Sequence, residues 1–324
     1  MDRRTVLAAL VWMLAWPRVS RATQHRSCRV GWLSPASAAS GGYELEALRG
    51  ALPALGYLEG QSIVIDARWA DGNSQRLPDL ARALVGARVD VICTSGTPAT
   101  MAAKAATGSI PIIFGRAAFP DKTGLVSNLS RPGGNLTGVT FIGPEYGKRL
   151  EMLREVSPRT VRVALLYNDQ NAASVLAMRE TQEWGRSLQT SVEPPGVHDE
   201  ASLQAALAAV RSARAEALMT TADPLIASYR SRVVEFANEH RLIAMYGERE
   251  YVRAGGLMFY GTSTTDMWRH APTHVDRVLK GAKPGDLPVE QPTQFELMIN
   301  LTAAKALGLT LPQSLLLRAD QLIE

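Results

Sequence analysis

The sequence is poor in residues that build disulfide frameworks, with two cysteines in 324 residues. A disulfide-dense secreted domain is therefore excluded. Cys28 and Cys93 could form one bond, but their positions beside and within different predicted strands do not force the two Cα atoms within bonding distance. A buried free thiol is an equally good interpretation of Cys93.

The motifs of the commonest α/β enzymes are also missing. Gly41-Gly42 and Gly133-Gly134 have neither the Lys of a triphosphate-binding loop nor the third Gly of a dinucleotide-binding loop. Ser95 does not stand between two glycines, as a nucleophile elbow requires. His270 and His274 have a metal-sharing spacing on a predicted helix, but the Glu of the hydrolytic motif is absent. We therefore expect a protein that is not an enzyme and has no metal or cofactor.

A strong excess of one charge is absent once the first residues are set aside. The formal net charge is +4, but four arginines and one aspartate lie in residues 1–22, so 31 basic and 30 acidic residues remain in the rest of the chain. This balance argues against nucleic acid as a partner.

Residues 1–22 have the pattern of a signal peptide. Arg3-Arg4 forms a basic start, residues 5–16 are apolar, and Ser20-Arg21-Ala22 offers small residues for cleavage. The apolar run is shorter than the roughly 20 residues that span a bilayer. We expect an exported, periplasmic protein, with a retained membrane anchor as the alternative. The arginine pair leaves open whether export follows the general or the twin-arginine route.

The chain contains one pattern twice: an apolar strand, a short polar loop and a helix that begins near a proline. Residues 89–93 lead into residues 94–98 in the first half, and residues 215–219 lead into residues 220–224 in the second. Proline suits the first turn of a helix, so each loop is predicted to end at a helix N-terminus. Open α/β sheets bind ligands at the carboxyl ends of their strands, so two such loops facing each other would form a cleft.

The alternation of strands and helices is typical of doubly wound α/β sheets with parallel strands. A chain of 324 residues is long enough for two domains. After the signal peptide we predict an N-terminal lobe over residues 28–140 plus about 262–282. A C-terminal lobe is predicted over residues 141–261 plus about 283–324. Several crossings between the lobes would suit a motion of opening and closing.

The two repeated loops carry different chemistry. Ser95, Gly96 and Thr97 bring hydroxyl and N–H donors to a helix N-terminus, which favours a carboxylate, although Ser95 or Thr97 could equally cap the helix. Asp223 stands at the matching point of the second half, where it could cap its helix, meet a ligand ammonium, or do both. The asymmetry predicts a zwitterionic or otherwise two-ended ligand.

Aromatic side chains close or follow several predicted strands, where they could contact a ligand or fill the core. They are Trp32, Phe119, Phe141, Tyr167, Tyr246 and Tyr260. The group Tyr246-Gly247-Glu248 is the most suggestive, because it directly follows a predicted strand.

Five segments together resemble the family of extracytoplasmic substrate-binding proteins of ABC transporters that includes tryptophan- and other aromatic-amino-acid-binding members. They are residues 56–61 (GYLEGQ), 95–99 (SGTPA), 110–114 (IPIIF), 131–139 (RPGGNLTGV) and 299–309 (INLTAAKALGL). The resemblance covers nearly the whole chain. It implies a type I periplasmic-binding-protein fold, with two Rossmann-like lobes, parallel sheets and a multi-strand hinge, that closes on a small molecule.

The resemblance also implies which loops face the ligand. Many members have a Gly-Asp-Pro-like segment after the fourth strand, whereas residues 116–121 here read RAAFPD, so Phe119 offers stacking surface in place of an acidic contact. With Phe119 and Phe141 added, the ligand-binding candidates are Ser34, Ser95, Gly96, Thr97, Pro98, Phe119, Phe141, Asn168, Asp223, Tyr246 and Glu248.

The function implied by the resemblance is that of the solute-binding component of an ABC importer. It would capture a small ligand, such as an amino acid or a related compound, and present it to a membrane permease and its ATPase subunit. A periplasmic sensor that uses the same cleft to signal to a membrane partner is the alternative. A repressor effector domain would need a DNA-binding helix pair before residue 29, and an enzyme would have to use Asp223 or Glu248 as an unpaired acid or base.

Overall fold

The computed structural model describes residues 27–141 and 145–324, so the predicted signal peptide, residues 1–22, lies outside the described residues. Thirteen strands occur within the described ranges. They are β1 (Cys28–Ser34), β2 (Ile63–Trp69), β3 (Val91–Thr94), β4 (Ile112–Ala118), β5 (Leu136–Phe141), β6 (Arg162–Asn168), β7 (Ser191–Glu193), β8 (Gly196–Val197), β9 (Ala217–Thr220), β10 (Ile243–Tyr246), β11 (Met258–Gly261), β12 (Glu296–Asn300) and β13 (Gln321–Ile323).

Helices separate most of the strands, as the sequence pattern predicts. They are α1 (Ala38–Ala51), α2 (Leu77–Gly86), α3 (Gly96–Ala106), α4 (Glu145–Val156), α5 (Ala172–Ser187), α6 (Glu200–Ser212), α7 (Pro224–Ser228), α8 (Arg230–Glu239), α9 (Arg249–Arg253), α10 (Thr264–Leu279), α11 (Leu301–Ala306) and α12 (Gln313–Arg318). Short 3₁₀ turns lie at Leu52–Leu55, Ser74–Arg76 and Pro284–Asp286. None of the helices in the described ranges is long and apolar enough to cross a membrane.

Local contacts set two of the helix boundaries. Helix α1 begins at Ala38, because Ser37 and Ser40 form a reciprocal capping box in front of it. The helical stretch that follows Asp223 is divided into α7 and α8, which meet at Tyr229.

The strands form two sheets, which confirms the prediction of two parallel, doubly wound units. The first has the order β2-β1-β3-β4-β5, and its strands are all parallel. The second has the order β13-β12-β11-β10-β9-β6-β7, with β8 pairing on β6 and with β12 antiparallel to β11. Central strands such as β3 and β9 are buried along their whole length, as expected for parallel sheets covered on both faces. Cys93 in β3 is a buried free thiol.

Helix α10 carries the chain back from the second sheet to the first. It follows β11 in sequence but packs against α1 and β4. Trp268 of α10 contacts Trp32 of β1 with ring centroids 4.5 Å apart. The ring of Trp268 also lies over Gly115, where an added Cβ would come within 2.2 Å of it. A glycine is therefore required at this point of β4.

The last crossing lies further along the chain than predicted. The sequence placed it at about residue 283, but Gly285 still accepts a hydrogen bond from the Gly133 N–H, and Glu290 forms a bridge with Val139. Only after Glu290 does the chain reach β12 of the second sheet. We therefore propose lobes that follow the predicted boundaries except at this crossing, which we place after Glu290.

Replacement of Trp268 by Ala should lower the free energy of unfolding by about 3–5 kcal/mol, because it removes a fully buried side chain on which α10 and the first sheet meet. Urea denaturation measures the change. Leu317→Ala is the control, since Leu317 is 78% exposed and its loss should change stability by less than about 0.5 kcal/mol. Equal effects of the two substitutions would contradict the packing described for α10.

Candidate functional site

The two repeated loops face each other, as the sequence predicts. β3 leads through Ser95 into α3, and β9 leads through residues 221–223 into α7. A Cβ added at Gly96 would lie 2.8 Å from the Cγ of Pro224, and Gly96 has a φ of +80°, so glycine is needed there for both space and conformation. The two loops are therefore in van der Waals contact, and the cleft between the sheets is closed at this point.

A small cavity remains in the cleft and is named here the cleft cavity. Its first wall is formed by Gly96, Thr97, Arg116 and Ala118. Its second wall is formed by Asn171, Ala173, Ser174, Thr221, Ala222 and Pro224, with Tyr146 at one side. The centre of a water-sized sphere can occupy about 10 Å³ of this cavity. The cavity therefore has room for about one water.

Arg116 is the dominant charged group of this region, and β4 is irregular where it carries this residue. Between Phe114 and Ala117 the register to β5 shifts by one residue, as in a β-bulge, which re-aims side chains. Arg116 is 3% exposed. Its Nη1 donates to Glu44 of α1 and its Nη2 donates to Glu248, each at 2.5 Å.

Both glutamates have further donors. Glu44 accepts a hydrogen bond of 2.5 Å from the hydroxyl of Ser95, and Glu248 accepts one of 3.1 Å from the hydroxyl of Tyr43. Glu44 and Tyr43 lie on α1 of the first lobe, whereas Glu248 follows β10 of the second sheet. The network therefore joins the two walls of the cleft by buried, charge-assisted hydrogen bonds.

The protonation equilibria follow from burial and from these contacts. Burial lowers the pKa of Arg116, but the carboxylates of Glu248 and Glu44 outweigh this and leave it well above its ordinary value. Burial raises the pKa of Glu44, and the opposing effects of Arg116 and Ser95 do not cancel the increase. Arg116 is therefore a permanent cation in the cleft.

Further contacts hold the walls together at the rim. The guanidinium of Arg230 in α8 donates to the carbonyl of Ser40 in α1 at 3.2 Å. Lys122, which follows β4, pairs with Glu180 of α5 at 2.9 Å. These two contacts are more exposed than the Arg116 network and contribute less to closure.

Asp223 is a helix cap in this structure. Its carboxylate accepts hydrogen bonds from the N–H groups of Leu225 and Ile226. It also accepts one from the side-chain amide of Asn168 and one from that of Asn171. The side chain is buried and does not line the cleft cavity. Of the two roles predicted for Asp223, the structure shows the cap.

Three other predicted ligand-binding residues lie near the loops but do not line the cleft cavity. Ser34 ends β1 and accepts a hydrogen bond from the N–H of Ala36. Asn168 ends β6 and holds Asp223, as described above. Pro98 is the third residue of α3 and, like Ser34 and Asn168, lies outside the lining of the cleft cavity.

The predicted aromatic contacts are distributed over different environments. Phe119 packs with Tyr146 and Ala173, and Phe141 lies below Arg116, whose Cζ is 5.7 Å from the ring centroid. Phe119 and Phe141 line a neighbouring groove rather than the cleft cavity. Tyr246 is fully buried in the core of the second lobe, where it stacks on Tyr251. The expected contact of Tyr246 with a ligand is therefore not what the structure shows, because its side chain points to the core face of the sheet.

Several residues of the cleft were missed by the sequence analysis. They are Tyr43, Glu44, Tyr146, Asn171, Ser174 and Thr221, with Arg116 noted only as part of a departure from the family pattern. A signal was available for two of them: Arg116 interrupts an apolar strand, and Glu44 lies among the leucines of an apolar helix face. A buried charge at such positions requires a partner.

A second buried ion pair lies beside the cleft. Arg149 of α4 pairs with Glu145 at 3.1 Å, and its Nε donates to the carbonyl of Tyr260 at 2.6 Å. Its Cζ also lies 5.0 Å from the ring centroid of Tyr146. Burial raises the pKa of Glu145 to about 7, although Arg149 acts in the opposite direction. The pair fixes Tyr146 at the side of the cleft cavity.

The chain matches the family model described as ABC transporter substrate binding protein over residues 39–323 and belongs to that family. Its type I periplasmic-binding fold agrees with its structural neighbours, which include a leucine-binding protein LivK from Thermotoga maritima with a TM-score of 0.55 and 15% identity over 79% of this chain and 77% of that one. Members of the family are binding proteins rather than enzymes. Within the described residues no group of three or more metal-ligating side chains occurs.

Individual relatives share about a quarter of their residues with this chain. A tyrosine-binding protein of Clostridioides difficile (strain R20291) is 27% identical over 259 residues, which are 80% of this chain and 74% of that protein. The ABC domain in complex with L-Trp from Streptococcus pneumonia has a TM-score of 0.86 and 26% identity, covering 92% of this chain and 100% of that one. A conserved domain protein from Vibrio cholerae has a TM-score of 0.87 at the same identity and coverage.

Replacement of Arg116 by Met should lower the free energy of unfolding by about 3–5 kcal/mol, because Glu44 and Glu248 would be left buried without a counter-charge. The addition of Glu44→Gln and Glu248→Gln to the same chain should restore most of the loss. Urea denaturation of the single and triple variants measures both effects. A triple variant no more stable than Arg116→Met would contradict the pairing.

The Glu145 pair predicts a pH-dependent stability. The folded carboxyl keeps its proton to about pH 7, whereas the unfolded one loses it near pH 4.5, so the native state holds the extra proton between these values. This contribution is full below the unfolded pKa and is lost as the pH rises through about 7. Wild type should therefore lose about 2–3 kcal/mol relative to Glu145→Gln between pH 5 and pH 8. Denaturation curves at the two pH values test this, and parallel curves would refute it.

Proposed function

We propose that this chain is the extracytoplasmic solute-binding component of an ABC importer. It captures a small ligand, an amino acid or a related compound, between its two lobes. It then delivers the ligand to a membrane permease that works with an ATPase subunit. Family membership establishes a substrate-binding protein of ABC transporters, and the finer statements are the proposal.

The observation that carries the proposal is the ion pair between Arg116 and Glu248 across the cleft. The two groups lie on different lobes, so this contact exists only when the lobes are together. A ligand that binds between the walls contacts both of them only in that state, and its differential affinity can then shift the equilibrium between open and closed forms. Capture by closure is the mechanism that this geometry supports.

The ligand class and the cellular location rest on different supports. A relative is named a tyrosine-binding protein, and a structural neighbour was solved with L-Trp, which favours amino acids and related compounds for this chain. The signal-peptide pattern of residues 1–22 favours export to the periplasm. The permease and the ATPase subunit follow from the family's role in transport.

Residues 23–324 should bind one class of small molecule at a 1:1 ratio and gain thermal stability from it, because ligand binding to the native state stabilises it by mass action. Thermal-shift screening of amino acids, organic acids, sugars and nucleosides, followed by titration calorimetry, measures this. Ala222→Phe, which fills the cleft cavity, should weaken binding by about tenfold or more. Leu317→Ala is the matched surface control.

Two results would count against the proposal. One is a folded protein that responds to no class of compound. The other is an Ala222→Phe variant that binds as tightly as wild type, which would place the ligand outside the cleft.

A further inference from the structure

The cleft cavity has one charged side chain in its lining, and that side chain is a cation. Arg116 uses Nη1 and Nη2 for the two glutamates, but its Nε is buried and has no hydrogen-bond partner within the described residues. Neither Glu44 nor Glu248 lines the cavity. The Nε–H of Arg116 can therefore donate a charge-assisted hydrogen bond to a ligand group in the cavity.

The N-terminus of α3 adds donors on the same wall. Gly96 and Thr97 are the first two residues of this 11-residue helix, and both line the cavity. Their N–H groups have no carbonyl one turn earlier in the helix. Ser95 would be the usual cap, but its hydroxyl donates to Glu44 and makes no capping bond. The helix dipole and the free N–H groups favour an anion beside Arg116.

The opposite wall has no carboxylate to offer to an ammonium group. Asp223 lies outside the lining of this wall, and its two carboxylate oxygens already accept four hydrogen bonds. The hydroxyls of Ser174 and Thr221 bond to each other at 2.8 Å, and the side-chain oxygen of Asn171 accepts from the N–H of Ala173. An ammonium would lose its hydration here without gaining a counter-charge, which is unfavourable.

We infer that the cleft selects a small monocarboxylic acid without an amino group, its carboxylate bound by the Arg116 Nε and the N-terminus of α3. The inference rests on the proposed function and narrows it. We limit the acid to one carboxylate, because Glu44 and Glu248 already bring two carboxyl groups to Arg116 and a second carboxylate on the ligand would add repulsion. Ala118, Ala173 and Tyr146 also line the cavity, and the hydrocarbon part of the acid would lie against them once the walls move apart, because the cavity as described has room for about one water.

Titration calorimetry of residues 23–324 with matched pairs of ligands tests the inference without any substitution. The pairs differ only in the amino group: propanoate and alanine, 4-methylpentanoate and leucine, 3-phenylpropanoate and phenylalanine, 3-(4-hydroxyphenyl)propanoate and tyrosine. In each pair that binds, the acid should bind about tenfold or more tightly than the amino acid. The primary amide of the best acid should bind at least tenfold more weakly than the acid itself.

The outcomes separate this inference from the proposed function. Tighter binding of the amino acid in every pair that binds, or equal binding of acid and amide, overturns the inference and leaves the proposed function standing. Absence of binding by the acids together with binding of a sugar or nucleoside does the same. Absence of binding by every class of compound overturns both.

A charge-neutral variant tests the part played by Arg116. The triple variant Glu44→Gln, Arg116→Met and Glu248→Gln leaves no ion unpaired, so denaturation can verify that it folds. It should lose about tenfold or more in affinity for the best acid, whereas Arg269→Met, which removes an exposed arginine outside the cavity, should lose none. Unchanged affinity in the triple variant would overturn the assignment to Arg116, and if that variant does not fold, the matched pairs decide.

Discussion

The guanidinium of Arg116 has to stay paired, because it is buried and does not release its charge by deprotonation. Glu44, its partner from the same lobe, accompanies it in every arrangement of the lobes. Glu248, its other partner, follows β10 of the second sheet and pairs with it across the cleft. The two glutamates hold the terminal nitrogens of Arg116, which leaves its Nε for the ligand carboxylate that we infer.

The same network explains why the two repeated loops behave differently. In the first loop, the hydroxyl of Ser95 donates to Glu44 and does not cap α3. The N–H groups at the start of α3 therefore remain uncapped beside the cavity. In the second loop, Asp223 caps α7 and is itself surrounded by amide donors. The first copy of the pattern presents hydrogen-bond donors to the cleft. In the second copy the carboxylate of Asp223 is occupied by donors of its own lobe and is not available to a ligand.

The arrangement favours binding over catalysis. Glu44 and Glu248 have the residue type of an acid–base pair, but each is held by Arg116 and a hydroxyl group, and neither lines the cleft cavity where a substrate would have to meet it. Buried contacts hold the elements beside the cleft: Trp268 of α10 packs on Trp32, and Arg149 of α4 pairs with Glu145.

Local patterns in the sequence determined the strands, the helices, the two parallel sheets and the strand–loop–helix repeat, because these depend on apolar periodicity and on prolines near helix starts. The tertiary structure decided which side chains meet. Arg116 contacts glutamates 72 and 132 residues away, and Asp223 is saturated by amides 52 and 55 residues away. Tyr246 lies in the core although its position at a strand end predicted the cleft, because alternation along a strand does not tell which face meets the ligand. Contacts between distant segments exist only in the folded chain, and the partners of a buried charge or a capping carboxylate follow from them.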